Sequence, residues 1–265
     1  MSRPAGGYVS GYVAPTRSAA RGVFSIRDAW NQLVAGKFPN LLADRLASLL
    51  IHFDGDFSDS SANPLTVTPY GGAAIDSSVL KFGSGSMSLD GTGYLQIQPS
   101  PDLEPLGEDF TIEFWWYPAS EDRQWFFHSD TDLWLGIDYM NGSMGMWASS
   151  GGWGWDLIES DSDYGRGSIV VPQGEWSHIA YVRSGNYWSL YVNGVLDKTI
   201  EASGSVVDKS SESKYIGSWA GGSDAGAPRV VGSIDEFRYV TGVAVYTGNF
   251  TPPTSPLSVI ATPLG

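Results

Sequence analysis

The sequence predicts an all-β sandwich preceded by a short helical N-terminal arm, and three observations predict it. From Leu49 onward, short apolar stretches alternate with clusters of Gly, Asp, Ser and Pro, the pattern of many short strands joined by turns. Asn193-Gly194 stands between two such stretches, YV and VLDKTI, and is the pair that a type I′ hairpin turn demands, because both positions need a positive φ. Late in the chain, Ser233 to Tyr239 alternates with the period of a strand.

Composition sets the bounds. The 265 residues suit one sandwich-sized domain with an extra segment, and aromatic residues at 13% supply a large core despite 33 Gly and 15 Pro. There is no Cys, which excludes a disulfide framework and a thiolate metal site. A net charge of −14 and a pI near 4.4 argue against nucleic acid or an anionic membrane as partner and suit divalent cations. No apolar run approaches the roughly 20 residues that cross a bilayer. Met1 to Ser25 carries Arg3, Arg17 and Arg21 but no apolar centre of a secretory signal peptide, so a role outside a cell implies another route, of which lysis with release of assembled particles is one.

Residues 1–47 read as an arm. Its first part, with the near-repeat Gly7-Tyr8-Val9-Ser10 and Gly11-Tyr12-Val13-Ala14, has too little patterned apolar surface to fold alone and would either add as a strand to a partner's sheet or stay a disordered tail. A helix follows: Ser25 is its N-cap, Asp28 answers the cap and Gly36 stops it, with Ile26, Ala29, Trp30, Leu33 and Val34 on one unmated stripe. Asn40 to Ser48 is expected to form a second short helix, with the domain boundary near Ser48. Residues 48–265 then read as the sandwich. Its strands are expected at Leu49–Phe53, Ser86–Leu89, Tyr94–Gln98, Phe110–Tyr117, Trp125–Ser129, Leu133–Tyr139, Ser143–Ala148, His178–Arg183, Trp188–Val192, Lys214–Gly217 and through Ser233–Tyr239. In the last of these, alternation puts Asp235 on one face with Phe237 and Tyr239, where a carboxylate must be hydrogen-bonded, paired or metal-bound.

The segments LLIHFDGDFSDSS, KFGSGSMSLDGTGYLQI, DFTIEFWWYP, GEWSHIAYVRSGNYWSLYVNGVL, YIGS and GSIDEFRYVTGVAVYTGNFTPPTSPL, in that order over about residues 49–257, resemble a laminin G-like, concanavalin A-like jelly roll of the kind found in bacteriophage tail and head structural proteins. GVFSIRDAWNQLVAGKFPN also resembles a short helical element ahead of such domains in phage structural proteins. The resemblance implies two stacked antiparallel sheets, and Ile112, Phe114 and Trp116 in phase on one strand agree with it. It also implies a core position for Trp176.

Three constellations are candidates for chemistry. Asp54 or Asp56 at the end of the first strand and Asp235 in the last, which the resemblance brings together, would hold a structural Ca2+ with loop carbonyls near Gly55 or Gly85; the alternative is a solvated acidic loop. The loop is no EF-hand, since the twelfth residue from Asp54 is Leu65. Glu159, Asp161 and Asp163 alternate as the acids of jelly-roll glucanases do, but Ser160, Ser162 and the flanking Gly favour a loop and therefore no enzyme. Trp153 and Trp155, on a glycine-rich loop, with Trp134 and Trp147 out of phase with Leu135 and Met146, would form either a stacking platform for sugar rings or an interface with a neighbouring subunit; the interface is preferred.

The expectation is a phage virion structural protein, a capsid decoration or fibre component located in the virion. Its partners would be other virion proteins and copies of itself, through Tyr8, Tyr12, Ile26, Trp30, Leu33 and Val34, with no nucleic acid or membrane partner. A carbohydrate-binding adhesin or receptor-binding protein that takes a host surface glycan is the alternative, and a glycan hydrolase a lesser one.

Overall fold

The structure, a computed structural model, describes residues 45–129, 134–161, 164–219 and 228–264. All of them belong to one compact unit, Arg45–Gly265. The arm's Tyr8, Tyr12, Ile26, Trp30, Leu33 and Val34 lie outside the described residues, as do Leu133 and Asp163.

The described strands are β1 (Arg45–Leu46), β2 (Leu49–Ile51), β3 (Val67–Tyr70), β4 (Ala74–Asp76), β5 (Ser86–Asp90), β6 (Tyr94–Ile97), β7 (Phe110–Pro118), β8 (Gln124–Ser129), β9 (Leu135–Met140), β10 (Ser143–Ala148), β11 (Ser177–Ser184), β12 (Tyr187–Val192), β13 (Val195–Glu201), β14 (Lys214–Ile216), β15 (Val231–Thr241) and β16 (Ile260–Ala261). One sheet has six strands in the order β10-β9-β8-β14-β6-β3. A larger, eight-stranded sheet runs β13-β12-β11-β7-β15-β5-β4, with β2 also paired to β15, and β1 and β16 form a separate two-stranded sheet. Every ladder is antiparallel, so the fold is the expected all-β, jelly-roll-type sandwich.

The two inner faces meet in one core. Ile112, Phe114, Trp116, Ile179, Trp188 and Leu190 come from the larger sheet, and Leu95, Ile97, Leu135, Ile137, Met144 and Met146 from the smaller. Asn193 and Gly194 have φ of 50° and 77°, the left-handed pair of a type I′ turn, and join β12 to β13.

The chain after β15 crosses the outer face of the larger sheet. There Val243, Ala244, Val245, Tyr246 and Leu257 cover Leu50, Ala180, Val182 and Val240 in a second core. Beneath this strap lies a buried ionic network. Glu113 accepts from Arg238 Nε (2.9 Å) and from the Tyr246 hydroxyl (2.7 Å), and pairs with His178 Nε2 (3.1 Å). Burial pushes the Glu113 carboxyl up, but Arg238, His178 and Tyr246 outweigh it and hold the carboxyl at about 2.

Three expectations are corrected. The helix over Asn40–Ser48 does not form in its described part: Arg45–Leu46 pairs with Ile260–Ala261, and the Ala47 and Ser48 amides donate to the Val259 and Tyr239 carbonyls. Tertiary pairing wins because so short a segment has little helical stability of its own. Trp176 is half-buried just before β11, tilted against Tyr117, and outside the core. Asp235 does not share a face with Phe237 and Tyr239. A one-residue bulge lies between Asp235 and Arg238, with Glu236 at φ 54°, and beyond it Phe237 and Tyr239 join Ile234 in the core while Asp235 stands opposite Trp115 on the outer face.

Candidate functional site

A second bulge, between Trp125 and Phe127 on β8, shapes the outer face of the six-stranded sheet. It sends Phe126 and Phe127 into the core together and leaves Trp125 and His128 on the outside. On that face Trp125 lies 5.3 Å from Trp147 of β10, and the strand between them carries Gly136. A Cβ at Gly136 would come 2.7 Å from Trp125 Cζ3, so only glycine leaves room for the indole.

These rings form the lower tier of an aromatic stack. Trp155 and Trp219, both half-buried, form the upper: Trp155 lies 5.0 Å from Trp147, and Trp219 lies 4.3 Å from Trp125 and stacks on His128 at 4.1 Å. Burial holds His128 down at about 4, so its ring is neutral around pH 7. The loop that brings Trp155 is fixed locally. Ser149 Oγ donates to the Gly154 carbonyl (2.6 Å) and accepts from the Gly152 amide (3.0 Å), while Asp156 accepts from the Ser150 amide (2.8 Å). Trp153 projects from its tip, 94% exposed.

Charges beside the stack are mutually paired. Asp138, fully buried on β9, accepts from Arg123 Nε (3.2 Å) and Arg166 (2.8 Å), and Arg123 also meets Asp161 (2.9 Å) with its guanidinium 5.4 Å over the Trp125 ring. Glu159 is exposed on the irregular segment after β10, which the Ala148–Ile158 and Gly145–Arg166 bridges tie to the sheet.

Of the tryptophans singled out in the sequence, Trp147 and Trp155 come together and Trp153 stands beside them. Trp134 does not join: it is fully buried inside the core, 5.6 Å from Phe127, with Nε1 donating to Glu104 (2.9 Å). Sequence reasoning missed Trp125, Trp219 and His128. Trp125 and His128 share a face only through the bulge, and the sole local signal for Trp219 is its place two residues after the YIG that ends β14.

The acidic residues gather at the loop before β5. Asp54 accepts from the Ser84 amide (2.5 Å), and Asp235 Oδ2 accepts from the Lys81 (2.9 Å) and Phe82 (3.1 Å) amides, so the two carboxylates grip one short loop. Asp56 is exposed and turned to its own loop, accepting from the Ser58 amide (2.8 Å). Beside them Glu236 pairs with His52 Nδ1 (2.9 Å) and accepts from the Leu257 amide (2.7 Å). Burial pushes the Asp235 carboxyl up to about 7, against the pull of the Phe82 and Lys81 amides. Among the described residues no group of three or more His, Asp or Glu has metal-binding geometry; the one buried carboxylate oxygen here without a partner is Asp235 Oδ1.

Together these features define a β-sandwich of lectin type, with an aromatic stack on the outer face of its smaller sheet. Residues 89–245, more than half of the chain, match the concanavalin A-like lectin/glucanases superfamily, and the chain belongs to that family. Domain 4 of AbnA, a GH43 extracellular arabinanase from Geobacillus stearothermophilus, in complex with arabinotriose, is similar at a TM-score of 0.56 and 21% identity, over 76% of this chain and 95% of that one. The botulinum neurotoxin serotype G binding domain is similar at 0.54 and 13% identity, over 75% of this chain and 48% of that one. A botulinum neurotoxin type C structure, whose description ties cell entry to interaction with two ganglioside molecules, is similar at 0.50 and 12% identity, over 76% and 48%. The chain spans about half the length of the toxin chains, and these likenesses show the fold. No curated protein matches the chain in sequence.

Proposed function

We propose that this chain is a glycan-binding module displayed on the surface of a bacteriophage particle, as a capsid decoration or a fibre component. The observation that carries the glycan reading is the two-tiered stack: Trp155 and Trp219 are held half-buried over Trp125, Trp147 and His128. Sugar rings present apolar C–H faces, and indoles already immobilised by a tier beneath them cost little further ordering when such a face stacks on them. The arabinanase domain described with arabinotriose and the toxin described by its ganglioside interaction lend support through shared fold, which is analogy and no more.

The particle part of the reading rests on the sequence resemblance to phage head and tail proteins and on the arm, whose Tyr8, Tyr12, Ile26, Trp30, Leu33 and Val34 would bind other virion proteins. The reading includes no hydrolysis: Asp161 is paired with Arg123 and Glu159 stands exposed on an irregular segment. A structural calcium ion beside Asp54 and Asp235 belongs to the same proposal, supported by the unpartnered Asp235 Oδ1.

A glycan array probed with the protein and with its Trp155→Ala and Trp153→Ala variants tests the reading. Binding that both variants lose supports it. Binding that both retain returns the Trp loop to a subunit interface, which light scattering would then register as a changed oligomeric state. No new reducing ends are expected from β-glucans or algal polysaccharides.

A further inference from the structure

The outer face of the six-stranded sheet holds a second aromatic group, on the side away from the tryptophans. Tyr70 of the edge strand β3 stacks on Tyr94 of β6 at 5.1 Å and 11°, and Tyr94 meets Tyr215 of β14 edge-on at 5.8 Å. Tyr215 is in register with His128 of β8, whose ring carries Trp219. Gln96, half-buried beside Tyr94 on β6 and in register with Tyr215, adds an amide to the tyrosine group and donates to the Ser213 hydroxyl (3.0 Å). The tyrosines and the tryptophans are thus the two ends of one strip. From β8 to β3 it crosses three interstrand steps, about 14 Å at the usual strand spacing.

We infer that this strip binds an internal stretch of a neutral, linear polysaccharide, laid across the strands from Trp155 and Trp219 to Tyr94 and Tyr70. The inference rests on the glycan reading above and goes on to name the class of glycan. Three features carry it. The strip is longer than one sugar ring and has an aromatic surface at each end, so a single terminal sugar leaves half of it unused. It runs out over the edge strand, where Tyr70 is 42% exposed, so a longer chain continues past it. The charges on the tryptophan side are already matched: Arg123 and Arg166 are paired with Asp138 and Asp161, and His128 is neutral. The net charge of −14 further opposes a polyanion.

The test is affinity electrophoresis of the full chain through gels containing soluble arabinan, galactan or β-glucan, with polygalacturonate as the anionic comparator. Calorimetry with the mono- and trisaccharide of whichever polymer retards it completes the measurement. The variants are Tyr70→Ala, Tyr94→Ala and Trp155→Ala, each checked for an unchanged melting curve. Tyr70 is exposed, so its variant keeps the fold even if Tyr94→Ala does not. A neutral polymer bound in preference to the anionic one, a trisaccharide bound tighter than its monosaccharide, and a roughly tenfold loss of affinity at each end of the strip are expected. If Trp155→Ala weakens binding and Tyr70→Ala and Tyr94→Ala do not, the extended strip is wrong while the glycan reading stands. Equal affinity for the monosaccharide, or preference for polygalacturonate, likewise overturns it. If no neutral polymer is bound, the strip inference falls while the glycan array still decides the glycan reading; if Trp155→Ala has no effect on binding, both fall together.

Discussion

Asp235 lies directly across the β7–β15 ladder from Trp115, and neither Asp235 Oδ1 nor Trp115 Nε1 meets a hydrogen-bond partner although both are buried. The Lys81 ammonium sits 3.8 Å over the same indole. For a carboxylate so placed, lost hydration outweighs the Phe82 and Lys81 amides on its Oδ2, which is why its proton is retained to about pH 7.

That retention has a sign. A carboxyl raised from 3.8 to about 7 in the folded state binds more protons than the unfolded chain, so its contribution to stability falls as pH rises through that window. Asp235→Asn removes the titration. The melting temperature of the wild type, measured against that of the variant, is expected to drop between about pH 4 and pH 8; a difference that does not change with pH would refute the assignment. His52, raised above its usual 6.5 by its bond to Glu236, adds a stabilisation that is complete below 6.5 and lost as pH rises through its raised pKa. His52→Asn isolates that part.

Calcium predicts the opposite dependence on charge. If an ion occupies the loop beside Asp54 and Asp235, chelation lowers the melting temperature of the wild type, excess calcium restores it, and Asp235→Asn is insensitive to both. A melting curve that chelator leaves unchanged removes the ion from the account.

Glu113 anchors the C-terminal strap from below. Glu113→Ala leaves Arg238 and His178 buried without their shared acceptor, and is expected to cost about 3–5 kcal/mol in urea unfolding at neutral pH. Its carboxyl is held at about 2, so the stability it contributes is present above 4.5 and lost as pH falls toward 2. A variant as stable as the wild type would mean that the apolar contacts of Tyr246 and Leu257 hold the strap unaided.

Gly136→Ala drives a methyl group into the Trp125 ring and should cost about 1–3 kcal/mol by overpacking. Because Trp125 supports Trp219, glycan affinity is expected to fall with it. Tryptophan fluorescence in the folded state reports whether the stack has moved, and an unmoved spectrum with full binding would show that the lower tier does not position the upper.

For the arm, Trp30→Ala is expected to weaken attachment to depleted particles strongly, as the loss of a buried Trp anchor does. Equal binding by the full chain and a chain beginning at Arg45 would sink the attachment proposal.

Much of the sandwich is legible in the sequence because strand and turn signals are local. Ser143–Ala148 forms β10 with the bounds its alternation predicts, and Asn193-Gly194 makes the turn its φ requirement dictates. β3 and β4 were not visible, since VTPY and AID are short, half-exposed strands with little apolar pattern, formed by pairing with β6 and β5. Which side chains face the candidate sites was decided by tertiary structure alone. One extra residue at Trp125–Phe127 brings Trp125 and His128 to the outer face together, and one at Glu236 separates Asp235 from Phe237. Neither bulge carries a glycine to announce it. A period-2 reading has no means of registering an inserted residue, because the insertion is stabilised by what the strand packs against: the shared core of Phe126, Phe127 and Phe237 on one side, and on the other the His52 and Leu257 bonds that hold Glu236 in a left-handed conformation.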